Sequence, residues 1–111
     1  LRPGGRLVAE AFVFDPEKAQ NGVAVRHVGL DRVLLGVVQV DEGEQAITGQ
    51  RIEITETGNR LFPYVLRYAA PDQMDAMATA AGLRLEDRWE DWHGTAFHDG
   101  SPAHVSVWSK P

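Results

Sequence analysis

The chain contains no cysteine, which excludes disulfides, thiolate metal centres and a cysteine nucleophile together. It also lacks an uninterrupted apolar stretch long enough to cross a bilayer, and a basic-then-apolar leader at its start. Basic side chains are few and scattered: 11 Lys and Arg stand against 16 Asp and Glu, for a formal charge of −5. Binding a nucleic-acid backbone requires clustered positive charge, so nucleic acid is not an expected partner. These absences fit a cytoplasmic protein that does not associate with membranes. No Gly-x-Ser-x-Gly elbow or Ser-His-Asp arrangement is legible, so there is no sign of a hydrolase nucleophile.

What is present suits one folded domain over residues 1–111, with 43% apolar and 24% charged residues. Arg6 to Phe14 is almost continuously apolar, interrupted only by Glu10 and closed by Asp15-Pro16. That is the pattern of a strand covered on both faces. Residues 23–40 read as two strands broken near Gly29-Leu30-Asp31. Gln45 to Glu56 follows the acidic turn at Asp41 to Glu44, itself most simply a solvated hairpin tip. There, Ile52 and Ile54 alternate with Arg51, Glu53 and Thr55, implying one buried and one wetted face. Arg60 to Tyr68 contains Pro63, which marks an edge strand or a bulge. Residues 17–66 thus form an expected antiparallel meander.

Met74, Met77, Ala78 and Ala81 recur at helical spacing, predicting a helix over 71–81 with those residues on its buried face. Pro71 suits its first position, Asp72 and Asp75 its N-terminal end, and Gly82 a left-handed C-terminal cap. A strand over Leu83 to Trp92, a loop over His93 to Pro102 and a last strand over Ala103 to Ser109 follow, with Val105 and Val107 sharing a face. The fold class expected is α+β: a mixed, mostly antiparallel sheet with one main helix.

Few residues suggest chemistry. His27, in the first meander strand, is either a general base for a hydroxyl or amine or simply a half-buried strand histidine. His93 and His98 lie five apart in a loop, without the converging ligands zinc or iron needs, so no metal site is expected. Trp89, Trp92 and Trp108 form either an aromatic pocket or part of the core.

The segment Leu1-Arg2-Pro3-Gly4-Gly5-Arg6-Leu7-Val8 resembles the turn and strand that open the later half of class I S-adenosylmethionine-dependent methyltransferases. The resemblance extends to Arg67-Tyr68-Ala69-Ala70-Pro71 before the helix, Ala81-Gly82-Leu83 after it, and His104-Val105-Ser106-Val107-Trp108 near the end. It implies the C-terminal half of a Rossmann-like methyltransferase fold, beginning mid-fold at Leu1. It further implies that Ala103 to Ser109 pairs with both Arg6 to Phe14 and Leu83 to Trp92. S-adenosylmethionine would be the cofactor and a small-molecule methyl acceptor the partner of the complete enzyme. No acidic-x-Gly-x-Gly-x-Gly run occurs here, so no cofactor-binding residue is assigned and the segment alone is expected to be inactive. Arg67 and Tyr68 fall where the resemblance puts the substrate side. Arg67 would grip a carboxylate and Tyr68 stack on the substrate, or else Arg67 pairs with an acidic neighbour and Tyr68 completes the core. The first strand would expose an edge suited to homodimer formation. The alternative is a stand-alone α+β ligand-binding or dimerisation module.

Overall fold

The structure is a computed structural model in which residues 1–18 and 21–111 are described. Its elements run β1 (Arg6–Phe12), β2 (Gly22–Val28), β3 (Arg32–Asp41), β4 (Ala46–Thr55), β5 (Gly58–Arg67), α1 (Pro71–Ala80), β6 (Arg84–Trp89) and β7 (Ala103–Ser109). They divide into two compact units: residues 1–15 with 68–111, and residues 16–67.

The first unit is a three-stranded sheet in the order β1-β7-β6. The last strand lies between its two neighbours and runs antiparallel to both, pairing Val8 with Val107 on one side and Trp89 with Val105 on the other. This is the placement the resemblance implies. A register shift between Leu85 and Asp87 bends β6. The core gathers on β7, where His104, Val105, Ser106 and Trp108 are all buried. A central strand is covered from both faces, so buried residues follow one another instead of alternating.

By contrast β1 is not covered on both faces: Leu7 and Val8, on opposite faces, are 46% and 48% exposed. It is an edge strand in this sheet. An apolar run predicts the burial a strand needs, and among the described residues no element supplies it on the outer side of β1.

The buried face of α1 also differs from the periodic pattern. Ala78 is buried and Met74 half-buried, whereas Met77 is 59% exposed. The helix is rotated so that Asp75 faces the sheet, where it accepts hydrogen bonds from Arg88 and Trp108. Satisfying those two donors fixes the orientation more strongly than burying one thioether. At the N-terminus the Ala70 N–H donates to the Gln73 side chain at 2.8 Å, while Ala70 has no side-chain acceptor to return. Gly82 takes φ +81°, and the Leu83 N–H reaches back to the Ala78 carbonyl at 2.8 Å, closing the helix as expected.

The second unit is a four-stranded antiparallel meander, β2-β3-β4-β5. Pro63 sits in edge strand β5, with no register shift in its pairing to β4. Among the described residues of this unit, the one register shift lies between Val25 and His27 in β2, which makes Arg26 the extra residue of a bulge. Every named ladder is antiparallel, where a mixed sheet was expected. Parallel neighbours need a crossover within one sheet, and α1 instead connects β5 to β6, which belong to different sheets.

Candidate functional site

In the first unit, α1 is held to the sheet by a connected set of polar side chains. Arg88 donates from both terminal nitrogens to Asp75, at 3.1 and 2.7 Å, and from Nε to the Ser106 hydroxyl at 2.7 Å. Trp108 Nε1 donates to the same carboxylate at 2.9 Å. Ser106 Oγ then lies 2.7 Å from His104 Nδ1. The serine oxygen accepts from Arg88 and pairs with Nδ1, with the donor in that pair set by the imidazole tautomer, which leaves Nε2 as the remaining ring nitrogen. That nitrogen is buried without a hydrogen-bond partner among the described residues.

Burial would raise the Asp75 pKa, but the hydrogen bonds from Arg88 and Trp108 and the guanidinium charge outweigh it and hold the carboxyl below its ordinary range. Burial pushes His104 down, Arg88 adds to the effect and Asp75 opposes it. The network is therefore an ion pair with a neutral imidazole. It holds the helix to the sheet and leaves no proton-transfer pair open to a ligand.

The opposite face of this sheet carries a concavity of about 470 Å³ lined mainly by Val8, Trp89, Trp92, Val105 and Val107. Its size is in the range of small-molecule sites. Trp92 is 65% exposed, and its Nε1 donates to Glu10 at 2.6 Å. At the rim, Asp91 accepts from the His93 and Thr95 backbone N–H groups. Hydrogen bonding from Thr95 is the main reason its carboxyl is held below the ordinary range. The three tryptophans are thus divided. Trp108 is 2% exposed and belongs to the core, while Trp89 and Trp92 line the concavity.

Tyr68 stacks on Phe14 with ring centroids 4.1 Å apart, and Phe12 lies 6.4 Å away. It completes an aromatic cluster just beyond the C-terminal end of β1. Arg67 belongs to the other unit, where it forms a loose, exposed ion pair with Glu44 at 3.8 Å. His27 is exposed on β2, and its Nε2 lies 3.0 Å from where a Cβ on Gly29 would be. His98 faces Glu90 at 3.4 Å, and its Nδ1 accepts from the Gly100 N–H at 3.1 Å. Among the described residues no group of three or more His, Asp or Glu could hold a metal ion, and no helix is long and apolar enough to cross a membrane.

The polar network was missed in the sequence, although His104, Ser106 and Trp108 at period two were its signal. Val105 and Val107 drew attention to the other face, yet a strand expected to pair on both sides should be buried on both faces.

No family model matches the chain, and no curated protein matches it. Solved structures do match it. Over 100% of its length the chain is 33% identical to the CcbJ methyltransferase from Streptomyces caelestis, with a TM-score of 0.87, and covers 48% of that protein. An S-adenosylmethionine-dependent methyltransferase from Clostridium acetobutylicum shares the fold at 7% identity and a TM-score of 0.76, matching 98% of this chain and 46% of its own. The S-adenosylmethionine-bound amino pentose methyltransferase CalS10 from Micromonospora echinaspora matches the whole chain at 24% identity and a TM-score of 0.58, over 46% of its own length. The chain spans about half the length of the solved proteins it matches, and over that span it is similar to S-adenosylmethionine-dependent methyltransferases.

Proposed function

We propose that this chain is the C-terminal portion of a small-molecule methyltransferase that uses S-adenosylmethionine. Its role would be to complete the central sheet and contribute part of the substrate side. The observation that carries the reading is the full-length similarity to CcbJ, at 33% identity, over only 48% of that protein. It is supported by the open outer edge of β1 and by the exposed Leu7 and Val8 on its two faces. A strand of this composition gains stability by burial on both faces and pairing on both edges, and an upstream half would supply both.

The residues of this chain do not by themselves fit the methyl donor. Gly4 and Gly5 precede a strand, and α1 follows Ala70 and Pro71. Neither provides the strand, glycine turn and helix that let a backbone approach a nucleoside. The segment alone is therefore proposed to be inactive, with no step of the transfer assigned to its side chains. Tyr68, and Arg67 once released from its loose pairing with Glu44, remain proposed contacts for the methyl acceptor. The role of His27 as a base is the weaker proposal, because methyl transfer rests mainly on proximity and alignment.

Calorimetric titration with S-adenosylmethionine tests this reading on the chain and on a form extended upstream through a Gly-rich strand and turn. The expected result is binding by the extended form alone. If neither form binds, the stand-alone binding or dimerisation module becomes the better account.

A further inference from the structure

Three arginines separated in the sequence, Arg26, Arg51 and Arg60, are brought together on one face of the four-stranded meander. Gly36 of β3, Arg51 of β4 and Phe62 of β5 stand opposite one another in a single row across the strands. Arg26, the extra residue of the β2 bulge, reaches over Gly36, where an added Cβ would lie only 3.0 Å from its Nε. The missing Cβ leaves the guanidinium its seat. At the other end of the row the Arg60 guanidinium lies over the Phe62 ring, 5.4 Å from its centroid. Arg51 rises between them. With strands about 4.8 Å apart, the three arginines are ranged over β3, β4 and β5 across about 10 Å.

No carboxylate neutralises this row. Among the described residues, the one acidic side chain that the strands place on this face is Glu53, and it pairs with Arg32 at 2.9 Å. Arg60 stands directly opposite Glu53 in the register, yet its guanidinium lies over Phe62. Among the described residues Arg26, Arg51 and Arg60 form no ion pair, whereas Arg6, Arg32, Arg67 and Arg88 each have a carboxylate partner. Like charges on neighbouring strands repel. Acidic residues outnumber basic ones by 16 to 11 in this chain, so the row does not follow from a basic composition.

We propose that this row is a binding site for a small molecule carrying two linked phosphoryl groups. A guanidinium is a planar fork that donates two parallel hydrogen bonds to a phosphate. Three of them in line leave two gaps, each about one strand spacing wide, and each gap seats one phosphoryl group between two forks. A single carboxylate or phosphate fills one gap and leaves the third arginine without a counter-charge. The Phe62 ring restricts Arg60 before the anion arrives, which reduces the entropy lost on binding. The strands hold the three arginine stems in fixed register, so the spacing of the forks is set by the backbone. The site lies wholly within the meander and does not depend on the methyltransferase reading.

Calorimetric titration of the chain with sodium pyrophosphate at low ionic strength tests the proposal, with orthophosphate and citrate as comparators. The expected result is saturable binding of pyrophosphate, at least about tenfold tighter than either comparator and weakening as salt rises. Arg51→Gln, at the centre of the row, should weaken binding by about tenfold or more, and Arg26→Gln and Arg60→Gln by about fivefold each. Arg84→Gln, which removes an exposed positive charge from the other unit, should leave binding unchanged. The three row arginines are exposed, so their replacement should not unfold the sheet, and far-UV circular dichroism of each variant verifies this. No saturable binding of pyrophosphate would overturn the proposal. So would equal affinity for citrate, or equal losses in Arg84→Gln and Arg51→Gln, because either would mean attraction to charge without a phosphoryl site.

Discussion

The two sheets of this chain are both antiparallel, yet they use their faces in opposite ways. The three-stranded sheet buries polar groups, with Asp75, Arg88, Ser106, His104 and Trp108 linked by hydrogen bonds beneath α1. The meander buries little and leaves an apolar face open, with Val23, Val28 and Val65 each more than 60% exposed. In the first sheet, stability depends on mutual satisfaction of groups that would be costly alone. In the second, apolar side chains fall on both faces: Leu34 is buried on one, while Val23, Val25 and Val65 stand exposed on the other.

The largest effect that would break this contrast is in the polar network. Asp75→Ala leaves the Arg88 guanidinium and Trp108 Nε1 without their acceptor. Breaking a fully buried pair costs about 3–5 kcal/mol, and the partial exposure of the Asp75 side chain, 31%, reduces the expected loss to about 2–3 kcal/mol. Urea unfolding measures it, and adding Arg88→Met should recover part of the loss, since the stranded charge is then removed. A loss below about 0.5 kcal/mol for the single variant would mean the network is incidental.

The meander should respond to crowding, not to charge. The Tyr64 ring lies directly over Gly49, and a Cβ there would collide with it. Gly49→Ala is expected to cost about 1–2 kcal/mol by displacing the ring, with Tyr64→Ala suppressing most of that cost. Full additivity of the two substitutions in a double-mutant cycle would show that the contact has no energetic role.

The smallest effect is in pH dependence. The His104 pKa is lowered in the folded state from its ordinary value of 6.5, so below that value the unfolded chain binds a proton that the folded chain resists. Stability is then complete above about pH 6.5 and declines as pH falls below it. Asp75, whose pKa is lowered from 3.8, adds a second decline of the same sign at more acidic pH. Replacing the imidazole in His104→Asn should flatten the stability profile between pH 7 and 5 while leaving the more acidic decline. An unchanged slope would remove His104 from the account.

Legibility in the sequence follows the same division. The meander strands were readable because Ile52 and Ile54 alternate with charged neighbours and because Gly, Asp and Asn mark the turns. The place of β7 between β1 and β6 came from the resemblance, not from periodicity. The orientation of α1 was not readable: Met77 fits a buried stripe, but the donors on Arg88 and Trp108, 13 and 33 residues away from Asp75, turn the helix toward the sheet. The absence of cover on β1 could not be seen either, because an apolar run states what a strand needs and says nothing about which segment provides it. Among the candidate site residues, Arg67 and Tyr68 are adjacent in sequence but fall in different units, a boundary that composition does not mark.

The central claim is that β1 is an interior strand waiting for an upstream half. Hydrogen exchange of the β1 amides, Arg6 to Phe12, tests it most directly when the chain alone is compared with the form extended upstream. The account predicts that amides on the outer edge of β1 exchange quickly in the chain alone and become strongly protected in the extended form, while β7 is protected in both. Equal and rapid exchange along the outer edge of β1 in the two forms would contradict it.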